Sequence, residues 1–313
     1  MLLIGHRGCH YPGYNQNTIR AFAKVTDEGV PAIEFDVQLC ADGQLVVIHN
    51  LNLEEVSTGK GEVSSTDSKT LKSLYAGDTA QGHDRIPFLT EVLDFFASQA
   101  AETRPAIHLE LKGENTGKKT GELINDYVTS AKLLHADFLI SSFNWEELNK
   151  IRSVCPTIQI ALLDGAIRRR ELLQQAGPEA ECYFERVFAY GREQYMIPHY
   201  SNLAENLQLL DRECPDSRVR SFLADEIERC LTGQYYTDEL LDTACEMKAV
   251  SVNLWYRTVT SQFVDKAHQK GLKVLLYTVN SPDELREVVE MGVDGVFTDY
   301  YSDSVRLLEG QMI

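Results

Sequence analysis

The chain has 313 residues, 43% hydrophobic and 25% charged, the balance of a folded globular protein and not of a disordered one. Lys plus Arg number 30 and Asp plus Glu 47, a formal charge of −17 that argues against nucleic acid or an anionic membrane surface as partner. The length suits either two ordinary domains or one large domain carrying additions.

Short apolar runs alternate with amphipathic stretches along the chain. Leu2–Gly5 reads as the first strand, and Thr18–Glu28 as a helix with Ile19, Phe22, Ala23 and Val25 apolar. Ala32–Leu39 is the second strand. Gln44–His49 is an extended run beyond Asp42-Gly43, a dipeptide that signals a hairpin turn. A polar, turn-rich stretch, 51–87, follows. The helix Leu89–Ala101 leads to a strand Ala106–Lys112, the helix Glu122–Leu134 to a strand Asp137–Phe143, and the helix Trp145–Val154 to a strand Gln159–Leu163. Residues 166–236 then interrupt the pattern with helices of their own, among them Asn202–Glu213 and Asp216–Leu231, before the helix Asp238–Met247. Strand Ala249–Trp255, helix Ser261–Lys270, strand Lys273–Val279, helix Ser281–Met291 and strand Gly295–Thr298 complete the order. Gly271 and Gly292 sit just past helix ends, where a left-handed cap belongs.

With the hairpin arm set aside, eight strands alternate with helices. That is the count of an α/β (β/α)8 TIM barrel, here with a β-hairpin extension after strand 2 and a helical insertion after strand 5. No Gly-x-Gly-x-x-Gly follows any strand, which weakens the alternative of an open doubly wound sheet. No Gly/Ser linker flanks 166–236 or 51–87, so both read as insertions within a single domain, 1–313. No window reaches ~18 uninterrupted apolar residues, so no membrane span is expected. The opening Met1-Leu2-Leu3-Ile4 lacks the basic start and long apolar stretch of a signal peptide. Cys9, Cys40, Cys155, Cys182, Cys214, Cys230 and Cys245 are scattered and odd in number, so thiols in a reducing cytoplasm are expected.

Active sites of such barrels gather at the C-terminal ends of the strands. The first strand ends in His6-Arg7-Gly8, the second holds Glu34-Phe35-Asp36, and the third holds Glu110-Leu111-Lys112. Side chains alternate along a strand, so Glu34 and Asp36 share a face, as do Glu110 and Lys112. Crowded carboxylates need a compensating cation or proton. An all-oxygen set suits one hard divalent ion, Mg2+ or Ca2+, in preference to zinc. If Asp42-Gly43 is a two-residue turn, Asp36 lies opposite His49, and His6 and His49 flank the same site as an acid and a base. Arg7 and Lys112 bring positive charge to the same mouth, where with a metal they make a phosphate receptor. Arg7 has a second reading, as a neutraliser of the carboxylates.

These residues resemble the glycerophosphodiester phosphodiesterase family. The likeness runs from Leu3 to about Asp299 with a gap over the long insertion. It rests on His6-Arg7-Gly8, Asn17-Thr18, Ile33-Glu34-Phe35-Asp36-Val37-Gln38-Leu39 and Val46-Val47-Ile48-His49. It continues through Leu109-Glu110-Leu111-Lys112, Ser142-Phe143-Asn144, Tyr277-Thr278-Val279-Asn280 and Gly292-Val293-Asp294-Gly295. The resemblance implies a metal-dependent barrel that hydrolyses glycerophosphodiesters to glycerol 3-phosphate and an alcohol. It implies Glu34, Asp36 and Glu110 as metal ligands, His6 and His49 as the acid/base pair, and Arg7 and Lys112 on phosphate, with Gln16, Phe143 and Tyr277 also lining the substrate site. The partner is then a small-molecule phosphodiester. Asn15-Gln16-Asn17-Thr18 departs from the family's usual Pro-Glu-Asn-Thr, His49-Asn50 from its His-Asp, Glu55 from a common Arg, and Tyr277 from a usual Trp. Competing readings are a lysophospholipid-type phosphodiesterase on the same barrel and a non-catalytic phosphate-binding homologue.

The long insertion carries six aromatics between residues 183 and 200: Tyr183, Phe184, Phe188, Tyr190, Tyr195 and Tyr200. They read either as a lid over the alcohol side of the pocket or as the core of a subdomain or a homo-oligomer surface.

Overall fold

The computed structural model describes every residue except 81, 166, 169–172, 175, 190–194, 199–202, 233–235 and 311–313. Eight parallel strands close on themselves: β1 (Leu2–His6), β2 (Ala32–Leu39), β3 (Ala106–Leu111), β4 (Phe138–Ser142), β5 (Gln159–Asp164), β6 (Ser251–Trp255), β7 (Lys273–Tyr277) and β8 (Gly295–Thr298). Each pairs with the next, and β8 returns to β1 through Leu2↔Gly295 to Gly5↔Thr298. The barrel helices are α1 (Ile19–Asp27), α2 (Leu89–Ser98), α3 (Thr116–Thr129), α4 (Trp145–Val154), α5 (Asp238–Glu246), α6 (Ser261–Gln269), α7 (Pro282–Glu290) and α8 (Tyr301–Leu308).

Strand alternation sorts the side chains into two cores. Ile33, Phe35 and Val37 of β2 face outward under the helices, while Ala32 joins Ile4, Leu139, Ala161, Leu275 and Phe297 inside the barrel. Phe22 of α1, Phe35 of β2 and Phe96 of α2 pack ring on ring, with centroids 5.4, 6.0 and 6.3 Å apart. Such a contact fixes where α1 stands, and with it the chain that leaves β1.

The third helix begins earlier than the expected Glu122–Leu134, at Thr116, and ends at Thr129. Gly117 and Gly121 disguise its first turns in the sequence, because glycine lowers helix propensity. They are needed for close approach to α4. A Cβ at Gly117 would meet the Glu147 carbonyl oxygen at 2.2 Å, and one at Gly121 would meet Val154 at 2.5 Å. The buried Glu147 carboxylate accepts the backbone N–H groups of Asn115 and Gly117 and so caps the helix start.

The hairpin register corrects an expectation. The strand Leu45–Val47 pairs antiparallel with β2 as Val37↔Val47, Gln38↔Val46 and Leu39↔Leu45. Asp36 therefore lies opposite Ile48, whose N–H donates to the Asp36 carbonyl at 3.1 Å, and not opposite His49. The cause is the turn. Cys40 N–H donates to Gln44 O and Gly43 N–H to Cys40 O, enclosing a three-residue loop with Gly43 at φ 75°. The described residues of 51–87 fold over this arm, and Leu53, Val63 and Leu71 share a small core with Val46 and Ile48 of the arm and with Phe88.

Within 166–236, a helix Glu181–Val187 and helices Leu203–Glu213 and Ser217–Leu231 stand beside a small sheet of Ile167–Arg168, Tyr195–Pro198 and Phe188–Ala189. Phe184 and Phe188 are fully buried and meet edge to face at 6.3 Å. Tyr183 is half-buried against the same core. Tyr190, Tyr200 and the Tyr195 side chain lie outside the described residues.

Candidate active site

β1 ends at His6, and the chain turns at once through three left-handed residues, Arg7 (φ 54°), Gly8 (φ 82°) and Cys9 (φ 64°). A Cβ at Gly8 would sit 2.8 Å from Phe22 and 3.0 Å from Ala21, so a glycine is required there. The turn brings the Arg7 backbone N–H to Glu34 Oε2 (3.3 Å), its Nε to within 3.5 Å of Asp36 Oδ2, and its Nη1 to Gln16 Oε1 (3.0 Å). Strained backbone of this kind collects at functional sites.

β2 and β3 supply the acids. Their parallel register sets Glu34 beside His108 and Asp36 beside Glu110, and β1 adds His6 beside Glu34. Glu34, Asp36 and Glu110 are buried, and each offers a carboxylate oxygen within 4.8 Å of the others. Lys112 Nζ lies 3.1 Å from Glu110 Oε1 and 3.7 Å from Asp36 Oδ1. That Asp36 oxygen is buried and accepts no hydrogen bond among the described residues, while Oδ2 accepts from Asn17 Nδ2 at 2.9 Å.

The electrostatics follow from crowding. Burial, and then the charges of Asp36 and Glu110, push Glu34 well above the usual carboxylate range. Burial pushes Glu110 up to about 7, against the pull of Lys112. Burial also opposes the charge on Asp36, but the His49 ring, Arg7, Lys112 and the Asn17 amide outweigh it and hold Asp36 low. Three carboxylates facing two cations want more positive charge than the side chains supply. Hard oxygen donors, all buried, with one oxygen lacking a hydrogen-bond donor, fit a divalent cation of the Mg2+ or Ca2+ type.

The two histidines are held differently. His6 Nδ1 is 2.7 Å from Asp299 Oδ1, and its Nε2 is 3.9 Å from Glu34 Oε2. Asp299 is pulled down to about 2: burial resists its charge, and the His6 ring with the Asn280 amide prevail. His49 is buried, and its Nδ1 meets the Asn50 side-chain oxygen, while the Asn50 amide nitrogen meets Glu55. Burial and the nearby Lys112 keep His49 well below its ordinary pKa. His49 reaches the site even in this register, because the hairpin strand stops at Val47. Gln38 Nε2 then draws in the carbonyls of Ile48, His49 and Asn50.

One cavity of about 470 Å³ opens here, lined by His6, Arg7, Gln16, Glu34, His49, Glu110, Lys112, Phe143 and Tyr277, with Asp36 buried just beneath. Phe143 and Tyr277 meet edge to face at 6.0 Å, and the Tyr277 hydroxyl donates to Asp164 O at 2.8 Å. All ten residues expected at the site therefore converge. The cavity also takes in Trp255, Tyr256, Arg257, Asn280, Glu284 and Asp299, to which the sequence had assigned no role. Asn17, Gln38 and Asn280 stand inside the motifs quoted above and Asp299 at the end of the likeness, but nothing local indicates what they touch.

The sequence matches the glycerophosphoryl diester phosphodiesterase family over residues 6–183 and 204–302. The chain belongs to that family. It is a phosphoric diester hydrolase on a closed TIM barrel, in a family of divalent-metal enzymes. A glycerophosphodiester phosphodiesterase of Bacillus altitudinis is 24% identical over 319 residues, covering 98% of each chain. Another, from Caldanaerobacter subterraneus subsp. tengcongensis, is 23% identical over 306 residues, 95% of this chain and 93% of its own. The solved structure of an Oleispira antarctica phosphodiesterase in complex with the product sn-glycerol-3-phosphate superposes with a TM-score of 0.67 at 19% identity, covering 99% of this chain and 97% of that one. Among the described residues no helix of this family member is long and apolar enough to cross a membrane.

Proposed function

We propose that this enzyme hydrolyses glycerophosphodiesters to glycerol 3-phosphate and an alcohol. The observation that carries the reading is a single cavity in which two histidines and two cations stand around three buried carboxylates. The product bound by the Oleispira relative supports the substrate class.

Glu34, Asp36 and Glu110 would hold one divalent cation, Mg2+ or Ca2+, which when bound supplies a Lewis acid to a phosphoryl oxygen. Arg7 and Lys112 meet the remaining phosphoryl charge, with Gln16 steadying the Arg7 fork at 3.0 Å. His6 and His49 form the acid–base pair. One removes the proton from the attacking hydroxyl as the new O–P bond forms; the hydroxyl is that of water, or the substrate's own glycerol hydroxyl, in which case the first product is a cyclic phosphate that water then opens to glycerol 3-phosphate. The other delivers a proton to the alkoxide as the old P–O bond breaks. Phe143 and Tyr277 wall the carbon skeleton of the substrate. A groove under the insertion would favour lysophospholipids, but among the described residues none from 166–236 lines the cavity.

His6→Ala and His49→Ala should each lower turnover by ~10²–10⁴ while metal binding is retained. Full activity in both variants would make the acid–base assignment wrong.

A further inference from the structure

His6 is gripped from behind by a residue pair that arrives from the far end of the chain. Asp299 follows β8 directly, and closure of the barrel between β1 and β8 sets it against a histidine 293 residues away. Both of its carboxylate oxygens are engaged: Oδ1 with His6 Nδ1 at 2.7 Å, Oδ2 with Asn280 Nδ2 at 2.6 Å. Asn280 Oδ1 accepts the Asp299 backbone N–H at 2.9 Å, so the Asn280 side chain is bonded at both ends. The Asp299 carbonyl accepts the His10 N–H at 2.6 Å.

Asn280 is itself anchored by a helix start. It precedes Ser281, the N-cap of α7, which has Pro282 in its first turn and a capping box with Glu284. Glu284 Oε2 accepts the N–H groups of Asn280 and Ser281, at 3.3 and 3.1 Å, and Oε1 accepts Arg257 Nη2 at 2.9 Å. A rigid helix terminus thus fixes an amide, the amide fixes a carboxylate, and the carboxylate faces the imidazole.

We infer that Asp299, clamped by Asn280, is the positioning carboxylate of His6, holding the ring so that Nδ1 carries its proton toward Asp299 and Nε2 faces the cavity. A carboxylate bonded to one ring nitrogen selects the tautomer that leaves the other as the reacting atom. Among the described residues His49 has no such partner on its ring: its Nδ1 meets the neutral Asn50 side chain. The two histidines are therefore supported by different chemistry, an anion behind His6 and an amide behind His49. This rests on the acid–base reading above, because a positioning residue has nothing to position unless His6 acts.

The test is steady-state kinetics of the metal-loaded enzyme with a glycerophosphodiester, for His6→Ala, Asp299→Asn, the double variant and Asn280→Ala, with thermal melts alongside. Asp299→Asn keeps the shape and loses the selection of tautomer. It should lower kcat by ~10²–10³ with KM within about threefold. The double variant should be no slower than His6→Ala, since residues acting through one another are not additive. Asn280→Ala leaves the carboxylate but frees it, and should lower kcat by about tenfold at unchanged KM; it carries the test if Asp299→Asn fails to fold. Multiplying losses in the double variant, or near-normal kcat in Asp299→Asn beside an inactive His6→Ala, would overturn the positioning role and leave the acid–base reading standing. Full activity of His6→Ala would remove both.

Discussion

The Gln38 side-chain amide donates to the His49 carbonyl oxygen at 3.0 Å and reaches the carbonyls of Ile48 and Asn50 from the same nitrogen. Gln38 points from β2 into the bend that delivers His49 to the site. Gln38→Ala would leave those buried carbonyls without their donor. It should cost about 1–3 kcal/mol of stability and lower kcat by roughly 10²-fold, since small displacements of a reacting group are expensive. Melting and kinetics on one preparation check both; wild-type kcat would show that the bend holds itself.

The acid cluster predicts opposite effects with and without a cation. Glu34→Gln relieves like-charge repulsion, so in chelator the variant should melt no lower than wild type. Added Mg2+ or Ca2+ should stabilise the wild type by about 2.7 kcal/mol at a hundredfold excess over Kd and the variant far less. Equal metal stabilisation of both proteins would place the ion elsewhere.

Glu110 adds a pH signature to the chelated protein. Its folded pKa, about 7, lies above the unfolded value of 4.5, so its contribution is fully present below 4.5 and is lost as pH rises through 7. A bound cation needs the carboxylate ionised, so metal affinity should rise over the same window. Titrating metal affinity from pH 5 to pH 8 tests this, and a flat profile would contradict it.

His108 lies deeper in the barrel, beside Glu34 in the sheet and edge-on to Phe297. Burial, and then Lys273, lower its pKa from 6.5 to about 4. The unfolded chain therefore binds more protons between those values. Stability from this residue is complete above 6.5 and falls as pH drops toward 4, by about 3 kcal/mol in all. Comparing wild type with His108→Gln by denaturant unfolding across that range isolates the effect; parallel curves would refute it.

Phe184 tests the insertion. It is fully buried in the core, and among the described residues none of 166–236 lines the cavity. Phe184→Ala should cost about 3–5 kcal/mol and leave KM for a small glycerophosphodiester unchanged. A raised KM with unchanged melting would instead point to a lid.

The barrel was legible because its information is local. Each strand is a short apolar run beside a periodic helix, and Glu34, Asp36, Glu110 and Lys112 declare a shared face by spacing alone. Convergence of His6 and Arg7 follows once eight strands are counted. The rest depended on features that spacing does not carry. Asp42-Gly43 signals a turn but not its length, and a third loop residue moved the register by one. Gly117 and Gly121 hid a helix start, because their reason lies on α4. Asp299 and Asn280 acquire a role only when β8 closes onto β1, a contact between the two ends of the chain.

The most direct test of the central claim is release of glycerol 3-phosphate from a panel of glycerophosphodiesters, assayed with Mg2+, with Ca2+ and with chelator. The structure predicts release with a divalent ion, loss of activity in chelator and recovery when the ion is restored. Hydrolysis indifferent to chelator, or no glycerol 3-phosphate from any member of the panel, would contradict it.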